Sequence, residues 1–187
     1  TTVTVRDSQG TERAAPLFFA GPGQVNAQIP PGTVDGTATI TVRNSLGETS
    51  SGTFRVTTVA PGFFTGTANG SGAVAGFGIH VVGSQQTRES LFAENGTTRA
   101  INFNPATESL FLELYGTGIR NRTNQTNVTC EIGGVAAVVE YASDAPGFIG
   151  LDQVNIRIPN SLDNRGEVDL VLIVDGKRSQ IVRVNIQ

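Results

Sequence analysis

The chain has no tryptophan and no methionine, and only one cysteine (Cys130), one histidine (His80) and one lysine (Lys177) among 187 residues. Each shortage closes a class of chemistry. A single cysteine leaves no internal disulfide. One histidine with one cysteine cannot make up an ordinary zinc ligand set, and any Ser-His-Asp or Cys-His relay has to run through His80. Charge is also thin: 13 basic and 16 acidic residues leave a net charge of −3, with the cations scattered. That is no footprint for nucleic acid or for an anionic membrane. No apolar run reaches the length of a spanning helix, and the chain opens without a leader pattern, so the reading expects the mature part of an exported protein. The scarcity of easily oxidised and easily nicked side chains fits an extracellular or cell-surface setting.

What is plentiful points to strands. Glycine contributes 23 residues, and threonine and asparagine recur throughout. Thr37–Val42 (TATITV), Gln153–Ile158 (QVNIRI) and Ile181–Ile186 (IVRVNI) alternate apolar and polar residues, the mark of half-buried strands. Turn signals stand between such segments: Pro30-Pro31-Gly32, Asn44–Gly47, Asn95-Gly96 and Asp175-Gly176. No stretch keeps a helical period for more than a turn or two. The fold class is all-β.

The chain also repeats itself. Gln24–Pro30 (QVNAQIP) returns as Gln153–Pro159 (QVNIRIP), 129 residues later. Around that match, Val3–Val5 answers Val128–Cys130, Ala14-Ala15 answers Ala136-Ala137, Thr37–Val42 answers Val168–Ile173, and Phe54–Val59 answers Val182–Gln187. Five strands occur twice in one order, which points to a duplicated ancestor.

The motifs AAPLFF, GPGQVNAQIP, APGFF, SLFLELYGTGI, IGGVAA, GFIGLDQVNIRIP and GEVDLVLIVDGK cover nearly the whole chain. Together they resemble an uncharacterised carboxy-terminal domain family of secreted acidobacterial proteins, of the Solibacter type. The resemblance implies export and two immunoglobulin-like β-sandwiches in tandem, and it implies no known chemistry. The expected organisation is an incomplete sandwich over 1–61, a linker and β-hairpin insert over 62–104, and a full sandwich over 105–187.

The incompleteness follows from the repeat. Ser109–Gly118 (SLFLELYGTG) is a strongly apolar strand ahead of the second copy, and the first copy has no counterpart to it. A sandwich short of one strand exposes core side chains beside unpaired backbone groups, and about five ladder bonds at roughly 1 kcal/mol each go unmade. Three sources for the absent strand are open: an upstream segment of a longer precursor, the unrepeated segment Gly66–Phe103 folding back, or a neighbouring molecule. The insert Ala73–Val82 is the obvious donor, with Ala73, Val74, Phe77, Ile79 and Val81 as its apolar residues.

The remaining candidates for chemistry have plainer readings. His80 reads as a strand histidine, with Gly78 and Val82 on its face. Cys130 shares a face with Val128 and Ile132 and reads as a small core residue. Gly70-Ser71-Gly72 with Gly76 echoes a dinucleotide loop, but a strand follows where a helix is required. Glu108, Glu113, Glu140 and Asp144 show no spacing that pairs carboxylates across a cleft. Asp163, Glu167 and Asp169 bracket Gly166 and offer oxygen ligands for a weak calcium ion, without the alternation of an EF-hand. No cofactor or metal is expected. Asn121, Asn124 and Asn127 begin three Asn-x-Thr sequons in one run, which reads as a solvated loop and a candidate glycan site. The leading expectation is a non-catalytic surface or filament subunit, self-associating into fibres by strand complementation. The alternative is an adhesive or carbohydrate-binding accessory module with a polysaccharide or cell-surface partner. Two tyrosines and no tryptophan make a thin stacking platform for sugars, with ten phenylalanines in reserve.

Overall fold

The structure, a computed structural model, describes residues 1–187 and contains strands, turns and two single-turn 3-10 segments, with no α-helix. It has no helix long and apolar enough to cross a membrane. The chain separates into two compact units, Thr1–Thr58 and Val59–Gln187.

The first unit holds β1 (Thr2–Arg6), β2 (Glu12–Ala14), β3 (Leu17–Gly21), β4 (Gln24–Ala27), β5 (Gly36–Arg43) and β6 (Thr49–Val56). An antiparallel sheet runs β2-β1-β5-β6, and β3 and β4 form a separate ribbon. The core is small. Val3, Val5, Ala15 and Ala38 are buried, while Val25, Ala27, Ile40, Val42, Phe54 and Val56 are only half covered. A buried carboxylate replaces some of the missing apolar packing. Asp7 accepts from the amides of Gln9 and Thr11, both at 3.0 Å, and from Arg13 at 2.5 Å. The Arg13 guanidinium and these amides outweigh burial and hold the Asp7 carboxyl below the usual carboxylate range.

The second unit holds β7 (Gly62–Phe63), β8 (Gly76–Val82), β9 (Gln85–Ser90), β10 (Ala100–Ile101), β11 (Ser109–Thr117), β12 (Val128–Ile132), β13 (Val135–Asp144), β14 (Asp152–Arg157), β15 (Gly166–Val174), β16 (Lys177–Arg178) and β17 (Val182–Ile186). One ladder runs β10-β17-β15-β12-β13-β14-β11-β8-β9. It folds into two layers because β13 changes partner: Val135–Ala137 pair with β12, and Val138–Asp144 pair with β14. Leu110, Leu112 and Leu114 of β11 lie beside Ile158, Ile156 and Val154 of the neighbouring strand on the same buried face of the sheet, all at most 2% exposed. The segment around Ala73 then stitches the two layers together. Arg183 donates to Gly72 (2.8 Å), Val74 donates to Arg183 (3.0 Å), and Ala75 donates to Phe64 (2.8 Å). The sheet thereby nearly closes into a barrel. One crossing is so tight that only glycine fits: at Gly118, with φ of +74°, a Cβ would lie 2.1 Å from the Ala60 carbonyl oxygen.

The repeat is present in three dimensions. The order β2-β1-β5-β6 of the first unit matches β13-β12-β15-β17 of the second, and β3-β4 matches the second half of β13 with β14. Even the register irregularity recurs, between Leu17 and Phe19 in one copy and between Val139 and Tyr141 in the other. Two sequence pairings slip. Val5 lies opposite Ile40, and Cys130 lies opposite Leu172, so Ile40 corresponds to Leu172 and Ala38 to Leu170. Likewise Val5 lies opposite Arg13 and Cys130 opposite Ala137, so Arg13, not Ala15, answers Ala137. Pro16 explains the second slip: it interrupts the strand that β13 carries through unbroken.

The segment 62–104 is not a separate insert. It lies wholly in the second unit, whose compact body begins at Val59. Its hairpin, β8 with β9, extends the ladder at β11, because β11 is apolar along its length and its second edge needs a partner.

Candidate functional site

The site is the position where the two copies differ. In the second unit β14 is flanked on both edges, by β13 and by β11, with Leu112 opposite Ile156 and Leu114 opposite Val154. In the first unit the corresponding strand, β4, pairs with β3 alone. Ile158 donates its amide to the Leu110 carbonyl at 2.9 Å. Its counterpart Ile29 stands beside an open edge. The Gln28 amide points the other way, to Pro16 at 2.9 Å, and strand alternation therefore turns the Ala27 and Ile29 amides outward.

The side chains show the same vacancy. Ile158 is 2% exposed and Ile29 is 42% exposed. Val154 and Ile156 are fully buried, whereas Val25 and Ala27 are half covered. Leu17, Phe18 and Phe19 on the neighbouring strand are exposed as well. The result is an apolar groove bordered by β4 with unpaired backbone donors and acceptors. A strand can add there by ladder bonds and by apolar contact together.

The five residues read as the strand donor are engaged within the second unit. Ala73 and Val74 are buried in the second unit. Phe77, Ile79 and Val81 lie opposite Glu113, Phe111 and Ser109 of β11. As donors to the first unit they are therefore excluded in this arrangement, since each is already in a ladder or core. Their faces also reverse the pattern that alternation suggests. Gly76 and Gly78 point to the interior, where a Cβ on Gly76 would come within 2.3 Å of the Glu113 carbonyl oxygen. The apolar residues look outward. Arg88 lies over the Phe77 ring at 3.5 Å, and the Tyr115 ring meets Phe77 edge-on at 6.4 Å. Arg88 is held there by Glu113 (2.6 Å) and by the Tyr115 hydroxyl (3.1 Å).

His80 is a clamp. Its Nδ1 lies 2.9 Å from Glu108 and its Nε2 lies 2.9 Å from Glu89, with the imidazole mostly covered. Two carboxylate partners require both ring nitrogens to donate, which is the imidazolium. Burial opposes that charge, but the bonds and fields of Glu108 and Glu89 outweigh it and raise the His80 pKa. Glu108 is correspondingly lowered: burial works against it, while the Asn104 amide and His80 prevail. With both nitrogens engaged, His80 has no free lone pair for a base role, and no serine or cysteine hydroxyl or thiol stands against it. Cys130 is buried in β12, and burial pushes its thiol up to about 12, far from a reactive thiolate.

The other candidates separate. Glu167 and Asp169 both bind Arg183, at 3.0 and 3.3 Å, so a cation occupies the space calcium would need. Asp163 is not among those contacts. Asn121, Asn124 and Asn127 are exposed. Asn124 caps a 3-10 turn through the Thr126 amide (3.2 Å), and Asn127 donates to Thr123 at 2.8 Å. Gly70 and Gly72 shape a turn in which the Gly70 amide donates to the Thr65 hydroxyl at 3.1 Å. Sequence reasoning missed the Arg88–Phe77 pair and the His80 clamp, because each joins residues on different strands. It did carry the signal for the groove, in the apolar strand SLFLELYGTG that precedes the second copy and has no counterpart before the first. Comparison with protein-family models and with curated proteins found no match for the chain.

Proposed function

We propose that the chain is a non-catalytic structural module of the cell exterior, an immunoglobulin-like tandem whose first unit accepts a complementing β-strand. One observation carries this reading: β4 is open along the edge that β11 fills on its counterpart β14. Family resemblance supports the immunoglobulin-like description and the extracellular setting. In this reading the second unit is a self-sufficient body and the first is an acceptor, as in a surface array or filament subunit. The donor comes from outside residues 1–187, because every long apolar strand within them is already paired.

Amide exchange on the 187-residue chain tests the reading. Val25–Ile29 should exchange far faster than Val154–Ile158, and negative-stain images of the chain alone should show no fibres. Equal protection of the two segments overturns the acceptor role. The accessory-module alternative rests on exposed Phe18, Phe19, Phe64 and Phe148, and binding on a glycan array would favour it.

A further inference from the structure

We infer that His80, Glu89 and Glu108 form a proton-operated latch on the edge strand β9, in which loss of one proton from the ring releases Glu89 and leaves Glu108 in place. The latch belongs to the second unit and does not depend on the acceptor role of β4. Strand β9 ends the ladder and is paired to β8 alone, so no strand on its other side holds it.

His80 stands on β8 opposite two uncharged residues, Leu110 of β11 and Thr87 of β9. The charged groups facing its ring are Glu89 of β9, at Nε2, and Glu108 of the segment ahead of β11, at Nδ1, each at 2.9 Å. Arg88, next to Glu89 in the chain, is turned to the opposite face and lies over Phe77. The ring therefore ties the edge strand to the segment ahead of β11. Glu89 also covers apolar surface. A Cβ on Gly78 would meet Ile101 at 3.3 Å, Leu110 at 3.6 Å and the Glu89 Cγ at 3.8 Å, so these three side chains close over a residue that has none. Ile101 and Leu110 are each 1% exposed.

The two carboxylates are not equal. The Glu108 side chain is 15% exposed, and its second oxygen accepts from the Asn104 amide at 2.7 Å. The Glu89 side chain is 36% exposed and bonds to His80 alone. A neutral imidazole carries one N–H, and its bare nitrogen meets a carboxylate as lone pair against lone pair. The contact that breaks is the one whose carboxylate returns to water most freely, because a covered charge left unpaired is costly. That contact is Nε2 with Glu89. The proton leaves to solvent, the ring keeps Nδ1–H on Glu108, and Glu89 rotates outward. Gly78 has no side chain to fill the gap, so Ile101 and Leu110 meet water and the turn end of β9 loosens. The other end stays fixed by Leu91, which is 1% exposed and donates to the Gly76 carbonyl at 3.2 Å. Burial opposes the charge on the ring and the two carboxylates outweigh it, so the latch opens alkaline of the ordinary histidine value of about 6.5.

The test is a pH titration of the full chain, read by nitrogen-15 NMR of the one imidazole and by amide protection factors, with β11 as the internal reference. Below the transition both ring nitrogens should read as protonated. Above it the ring should read as Nδ1–H with a bare Nε2, and protection of Thr87–Glu89 should fall about tenfold relative to Leu110–Leu114, the loss of one charge-assisted bond. Glu89→Gln should abolish that fall, because an amide accepts from Nε2–H or donates to a bare Nε2. Glu108→Gln should move the neutral ring to Nε2–H, since its amide donates to Nδ1, and Glu89 should then stay in place. If either variant fails to fold, the titration of the unaltered chain still decides. A neutral ring that carries Nε2–H there overturns the latch, as does β9 protection that does not change across the transition. A loss shared equally by β9 and β11 is global loosening and overturns it too.

Discussion

The two units are copies of one strand plan with opposite economies. The second buries twenty-four apolar residues in a continuous core, and the first buries four. The strand order is shared, so the difference lies in what flanks it. The second unit adds β11 on the β14 edge, the β8–β9 hairpin beyond β11, and β10 with the Ala73 bridge on the outer edge of β17. The first unit has none of these additions. A 58-residue body is near the lower limit at which burial outweighs chain entropy even when its core is closed. Here it is open, and Asp7 with its Arg13 partner holds part of it by polar bonds. Strand order alone does not make a stable sandwich; closure of the core does.

The largest test of this comparison removes a strand contact from each copy. Leu112→Ala and Ile158→Ala should each destabilise the second unit by about 2–5 kcal/mol, while Ile29→Ala should cost the first unit less than about 1 kcal/mol, because it starts half exposed. Both tyrosines, Tyr115 and Tyr141, belong to the second unit, so tyrosine emission during urea unfolding reports it alone, and amide exchange at Val3 and Val5 reports the first. Equal losses at Ile29 and Ile158 would mean the first core is closed in solution. Gly118→Ala comes next: strain at positive φ together with the Ala60 clash should cost about 3 kcal/mol or more in the same assay.

Smaller effects come from the polar clamps, and they differ in sign between the units. The raised pKa of His80 means that its contribution is complete below the ordinary histidine value of about 6.5 and fades as pH rises through the folded-state value. The second unit should therefore lose stability on going alkaline of neutrality. His80→Gln should remove that slope and lower stability at pH 6 by about 1–3 kcal/mol; an unchanged slope would place the titration elsewhere. Asp7 works oppositely. Its lowered pKa contributes above the ordinary aspartate range and is lost as pH falls through the folded-state value. Acid should loosen the first unit, followed by exchange at Thr11 and Val34, and Asp7→Asn should flatten that response.

Much of this plan is legible along the chain. Alternation in TATITV and QVNIRI marks strands because a residue exposed on one face and buried on the other obeys a local rule of period two. The repeat marks the duplicated order, and SLFLELYGTG marks the strand that one copy has and the other lacks. The fate of Ala73–Val82 is not legible in the same way. Its apolar residues advertise a free strand, yet Gly76 and Gly78 are its interior face, and the nearest unpaired edge belongs to β11. The slip of one residue between Ala38 and Leu170 is also hidden, since two alternating strands align equally well by composition at neighbouring offsets until their partners fix the register.

By itself, then, the order of residues determined that the chain is all-β, built twice on one order, and short of an apolar strand in its first half. Tertiary structure alone decided which edge the hairpin joins, which carboxylates close on His80, and that β4 stays open beside Ala27. The division has a physical cause. Strand propensity and facing are set by neighbours along the chain, whereas edge pairing and ion pairs are set by competition among distant segments, and that competition is settled only when the backbone is folded.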